Sequence, residues 1–349
     1  MLFLLLLCLA APATARVRGI GPSISSSDAI LWITVAVAVI WAIFYAVALI
    51  VNLRAYFSTR AQGRRLLYAF LIAPIISFAV GNILQIVDAV AIPSLFIPTL
   101  VDMFNTWGIA ALYVAVVALL HNRAAAMVKA AAQAPNPRRG YVYAYALHGV
   151  CAACLFVLGT TAGAYEMSLT SQIQRLLMTP GPATPLFEVK FRQLEAGFGV
   201  VQNLRYAASG FALFSCVAVG GHAAWLRRGW RRVGIKDRIT KVLLYGVTPL
   251  YGAMCLSSTI LLVVTDRLSD GFIGVVTAET ERGLKLANVL VVTGCANGAM
   301  LVLLRVYGRE EWWGGETAAE QMKEFWVAQR GAEEGHPQRL PVAGHYVPS

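Results

Sequence analysis

Seven stretches of about 20 predominantly apolar residues recur along this chain, at 29–51, 66–88, 100–120, 143–165, 204–226, 242–264 and 285–305. As an α-helix, each is long enough to cross a hydrocarbon core of about 30 Å. Backbone groups in lipid must be satisfied within their own segment, and the stretches lack the strict alternation of barrel strands. They are therefore predicted to be transmembrane helices. Composition agrees: with 58% hydrophobic residues, 13% charged residues and a mean hydropathy of +0.64, the chain has more apolar surface than a soluble fold of 349 residues buries. The expected fold class is an all-α polytopic membrane protein whose seven transmembrane helices fill residues 29–305.

The chain begins MLFLLLLCLAAPATARV, a short apolar run followed by Ala13 and Ala15 in the A-x-A positions before Arg16. This predicts a cleavable signal peptide over 1–15 and a short extracellular N-terminus over 16–28. Arg54, Arg60, Arg64 and Arg65 follow the first helix, and Arg123, Lys129, Arg138 and Arg139 follow the third. After the fifth comes RRGWRRVGIKDRITK, with seven basic residues and one acid, Asp237. Residues 89–99 carry no charge. Because Lys and Arg accumulate on the cytoplasmic side, the N-terminus is expected outside and the C-terminus in the cytosol. Basic loops beside an anionic leaflet account for the net charge of +11 and the pI near 9.6. The expected partner is thus the lipid bilayer and not nucleic acid. Entry through the secretory pathway to the plasma membrane or an endomembrane follows.

Cys8 belongs to the signal peptide, and Cys151, Cys154, Cys216, Cys255 and Cys295 fall within helices, so they are expected as small packing residues without an outer disulfide. Between the fourth and fifth helices, TPGPATP at 179–185 breaks the chain. Beyond it Phe187, Phe191, Leu194, Phe198 and Val201 recur at spacings of four and three, and Arg205 is the next member of that stripe. The fifth helix is therefore expected to project outward as a long rod. Upstream, Ile173, Leu176 and Leu177 predict either a short helix over the outer mouth or a solvated loop. The cytosolic tail, 306–349, opens with Trp312 and Trp313. An amphipathic stretch around Met322, Phe325 and Trp326 comes next, then a polar, Pro- and Gly-rich end of disordered composition.

Polar groups inside spans are costly, about 2.5–3.5 kcal/mol for a charge near the bilayer centre, so their placement is informative. Asn82, Gln85 and Asp88 occupy the outer half of the second helix, Asp102 and Asn105 open the third, Gln202, Asn203 and Arg205 enter the fifth, and Asn288 enters the seventh. Two accounts of this layer stand: a pocket for a small ligand, with Asp88, Asp102 and Arg205 supplying charge, or an interhelical clamp in which Arg205 pairs with an acid.

At the opposite boundary, His121, His148 and His222 share one depth and are a candidate zinc or haem site. Neither an acid at that depth nor the paired His spacing of seven-helix zinc hydrolases accompanies them, so neither a cofactor nor an enzymatic activity is expected. Pro74 and Pro249 each fall about eight residues into their spans, the kind of matched break found in three-plus-one-plus-three transporters of the SWEET type. The surrounding strings differ, which favours independent kinks. Gly294 and Gly298 form a small-residue face suited to close helix packing.

Signal peptide, outside N-terminus, seven spans, basic inner loops and an amphipathic segment after the last helix together resemble the topology of G-protein-coupled receptors. The third helix ends in LLHNRAAA, the sixth has GVTPLYG, and the seventh has Lys285 only at its outer end. The resemblance is accordingly one of topology, and it assigns no residue roles. What it implies is a small extracellular ligand in the outer polar layer and a cytosolic signalling partner at the basic third inner loop. A transporter, an intramembrane metal-dependent enzyme and a structural membrane protein are the alternatives.

Overall fold

The computed structural model describes residues 26–90, 96–130, 138–178, 185–232, 237–270, 278–309 and 312–313. Seven helices in it are long and apolar enough to cross a membrane. They are α1 (Ser26–Ser58), α2 (Gln62–Val90), α3 (Ile97–Ala130), α4 (Arg138–Met178) and α5 (Pro185–Arg232). Two interrupted rods follow. In α6, Arg238–Val242 leads through a π-helical turn, Leu243–Val247, into Thr248–Asp270; in α7, Ala278–Ala287 leads through a second π turn, Asn288–Val292, into Thr293–Gly308. The signal-peptide expectation, the TPGPAT part of the breaker and the amphipathic tail around Met322 lie outside the described residues.

Each helix packs on its sequence neighbours, α7 returns to α1, and α3 also reaches α5. The helices α3 and α7 are buried most deeply, whereas α1 and α6 show most of their surface. Trp32, Val47, Ile50, Val217, Ile260 and Leu301 are large apolar side chains left exposed on the outside of the bundle. In water such a surface would be an aggregation liability, but against acyl chains it is the ordinary outside of a membrane bundle. Association within lipid depends on close packing rather than on hydrophobic expulsion, and small residues supply it here. A Cβ on Gly108 of α3 would stand 2.8 Å from the Phe78 ring of α2. In the Gly294/Gly298 pair, Gly298 faces Leu250 of α6 and Gly294 faces Trp41 of α1, so that face serves contacts inside the bundle.

Proline treatment differs between the two kinked spans. Pro74 lies within continuous α2, while Pro249 stands two residues past the end of the π turn of α6. A proline offers no N–H and clashes with the carbonyl four residues back, and the wider turn makes room for it. There Leu243 keeps its carbonyl satisfied by the Thr248 hydroxyl at 2.9 Å and the Thr248 N–H. At the α7 turn, the Trp41 indole donates to the Val289 carbonyl at 3.1 Å.

The segment after 165 differs from both the short helix and the loop that its sequence allows. It continues α4 without a break to Met178. The reason lies on α5, whose stripe Leu194, Phe198 and Val201 packs against Leu169, Ile173 and Leu176. Two helical seams cover one another, so neither rod ends at the bundle. With 41 residues in α4 and 48 in α5, the rods are about 60 and 70 Å long, roughly twice the thickness of a hydrocarbon core.

Candidate functional site

The α3 start, the α4 exit, the α5 entry, the α6 end and the α7 start surround a cavity of about 370 Å³. Its floor is apolar, formed by Ile109, Leu155, Ala212 and Val292 with the Cys255 thiol among them, and Leu262 stands higher on the α6 wall. Its waist carries hydroxyls and amides, including Asn105, Thr106, Ser258 and Asn288. Charge sits at the mouth. Arg205 bridges Asp102 of α3 at 2.8 Å and Glu166 of α4 at 2.7 Å. Lys285, also on the cavity wall, reaches Asp88 of α2 at 2.8 Å. Within these pairs three carboxylates face two cations, one negative charge in excess among the five when all are ionised.

The sequence-derived polar layer divides in two. Asp102, Asn105, Arg205 and Asn288 line the cavity. Asp88 adjoins it through Lys285, while Gln202 is half-buried outside the lining and Asn203 is exposed. Asn82 faces elsewhere. It is fully buried, its Nδ2 donates to the Phe78 carbonyl at 2.8 Å, and it neighbours the Tyr45 hydroxyl of α1, as does Asn297 of α7, without a hydrogen bond between them among the described residues. Neither Asn82 nor Gln85 is among the residues that line the cavity with Asp102 and Arg205. Gly81, one residue before Asn82, lies against α3, where the Asn105 oxygen would be 2.9 Å from an added Cβ. Helical spacing places Asn82, Gln85 and Asp88 along one side of α2, but a progressive offset over two turns sends the ends of the series to different neighbours.

Glu166 and Lys285 take part in these ion pairs, and neither belongs to the polar layer read from the sequence. Glu166 lies one residue beyond the anticipated end of the fourth span. The available signal was a single acid, in GTTAGAYEM, on a segment whose helical period continues.

At the basic end of the bundle, Arg123 of α3 bonds both oxygens of Asp237, at 2.8 and 3.3 Å, and lies over the Trp230 ring. Asp237 also caps α6 by accepting from the Thr240 N–H at 3.1 Å. Nearby, His148 Nε2 and His222 Nδ1 are 3.0 Å apart in a hydrogen bond. The two rings therefore spend their facing nitrogens on each other. His121 is exposed and meets Tyr145 edge-on. Among the described residues, no group of three or more His, Cys, Asp or Glu is placed to hold a metal ion.

Comparison of the chain with protein-family models, with curated proteins and with solved structures finds no match.

Proposed function

We propose that this protein is a heptahelical membrane receptor that takes a small amphipathic molecule, with a neutral or cationic head, into the cavity between α3, α4, α5, α6 and α7. The observation that carries the proposal is the cavity itself, about 370 Å³ with an apolar floor, a hydroxyl and amide waist, and Arg205 held between two carboxylates at the mouth. Small-molecule sites commonly enclose about 300–1,000 Å³, lined by apolar walls with a few placed polar groups. The excess carboxylate disfavours an anionic head. With the cavity outside, the Arg123/Asp237 end would face the cytosol, and the basic connection between α5 and α6 would meet a signalling partner.

The test is a thermal-shift screen of purified full-length protein in detergent against neutral and aminated amphiphiles. Compounds that raise the unfolding temperature are expected to lose that effect in Leu262→Trp, which fills the cavity from its α6 wall. If every stabilising compound acts equally on wild type and Leu262→Trp, the cavity is not the binding site and the proposal fails. A carrier for the same molecule is the second reading, favoured by the polar side chains Tyr113, Ser215 and Tyr251 just below the floor. Uptake of a labelled stabilising compound into vesicles separates carrier from receptor.

A further inference from the structure

The cavity floor does not end the polar interior. Tyr113 lies four residues beyond Ile109 on α3, Cys151 four before Leu155 on α4, Ser215 three beyond Ala212 on α5, and Tyr251 four before Cys255 on α6. Three or four residues are one helical turn, so four helices place hydroxyls and a thiol in one layer, about 5–6 Å below the floor. Ser215 gives its proton to the Ala212 carbonyl at 2.7 Å, so the Tyr251 hydroxyl donates to Ser215 at 2.8 Å. The Tyr113 and Tyr251 rings stack with centroids 6.2 Å apart.

From Tyr113 a continuous chain runs to the basic end. The Tyr113 hydroxyl meets His148 Nδ1 at 2.6 Å, and His148 Nε2 meets His222 Nδ1 at 3.0 Å. His222 Nε2 is buried without a hydrogen-bond partner among the described residues. Both histidines are more than nine-tenths buried. The titratable groups around them are Cys151 beside Tyr113, Tyr251 and Cys255 across from it, and Tyr145 and the exposed His121 beside His222. An unpaired buried donor or acceptor costs about 1–3 kcal/mol, so a buried imidazole pair with one open nitrogen is not explained by stability alone.

We infer that Tyr113, His148 and His222 form a proton relay between the cavity floor and the basic end of the bundle, an activity separate from ligand binding. In one arrangement Tyr113 donates to His148 Nδ1, His148 donates from Nε2 to His222 Nδ1, and neutral His222 carries its single ring proton on Nε2. A proton arriving at the Tyr113 oxygen displaces that hydroxyl's own proton onto His148 Nδ1. The His148 Nε2 proton moves to His222 Nδ1, and the His222 Nε2 proton leaves toward His121. One proton enters and one leaves, every group ends neutral, and all the hydrogen bonds point the other way. The rings must turn over before a second proton follows in the same direction, so the relay is slow compared with a water-filled pore. Imidazoles suit the task because each ring can hold its proton on either nitrogen.

The experiment uses full-length protein in phosphatidylcholine–phosphatidylglycerol vesicles with an internal pH-sensitive dye, a pH gradient, and valinomycin with potassium to clamp the potential. No ligand is added, so the result is independent of the cavity proposal. Wild type is expected to dissipate the gradient faster than protein-free vesicles, with the excess rate lowered about tenfold or more by Tyr113→Phe and by His222→Gln. Both variants are first checked for wild-type unfolding temperature; Tyr113→Phe removes a single oxygen. A wild-type rate equal to that of protein-free vesicles overturns the relay. So does a folded Tyr113→Phe that keeps its flux, or one in which flux rises, as widening a water path would do.

Discussion

The two ends of the bundle use the same chemistry, an arginine against a carboxylate, to opposite effect. At the cavity mouth the Arg205 and Asp102 side chains are 29% and 54% exposed, and Arg205 divides itself between two acids. At the basic end the Arg123 and Asp237 side chains are 11% and 3% exposed, and the acid also caps α6 while Trp230 covers the guanidinium. A solvated pair can exchange partners at little cost, whereas a desolvated one cannot. The mouth is built to be rearranged, and the basic end to stay assembled.

That contrast is most directly broken at Asp237. Asp237→Ala should destabilise the protein by about 3–5 kcal/mol, because it strands the Arg123 charge and removes a helix cap. Unfolding of purified protein in mixed micelles measures it. Asp237→Asn retains a capping side chain and so isolates the ion-pair part of the loss. Smaller, at about 1–3 kcal/mol, is the expected cost of Gly108→Leu, which drives a side chain into Phe78 where α2 and α3 approach closely. Asp102→Asn should cost at most about 1 kcal/mol, since Arg205 retains Glu166, and raising salt should shrink the difference further. An Asp102 effect as large as that of Asp237 would erase the distinction between the ends.

The seven helices were legible because a membrane-crossing run is a length-and-composition signal that needs no neighbours. The outward rod of α5 was legible for a related reason: the spacing of Leu194, Phe198 and Val201 marks a covered stripe. What covers it was not legible, and Leu169, Ile173 and Leu176 were left between helix and loop although they are its partner. In the candidate site, depth could be read from sequence, which is how Asp102, Asn105 and Arg205 came to be grouped. Rotation of one helix about its axis could not. That angle sends Asn82 toward Tyr45 and Asn297 and brings Lys285 to Asp88. The Tyr113–His148–His222 chain escaped for the same reason: its histidines were recognised at one depth, but Tyr113 lies two turns away from His121 along α3 and was not associated with them.

The joined α4 and α5 rods have a mechanical consequence. From Pro185 to Arg205 along α5 is about 30 Å, and from Glu166 to Met178 along α4 about 18 Å. The Arg205–Glu166 contact therefore sits at the root of a projecting lever, stapling its two arms where they enter the bundle. A sideways push at the far ends of the rods arrives there reduced in distance and multiplied in force. The charges at the cavity mouth are thus also the fulcrum on which anything touching the hairpin from outside would bear.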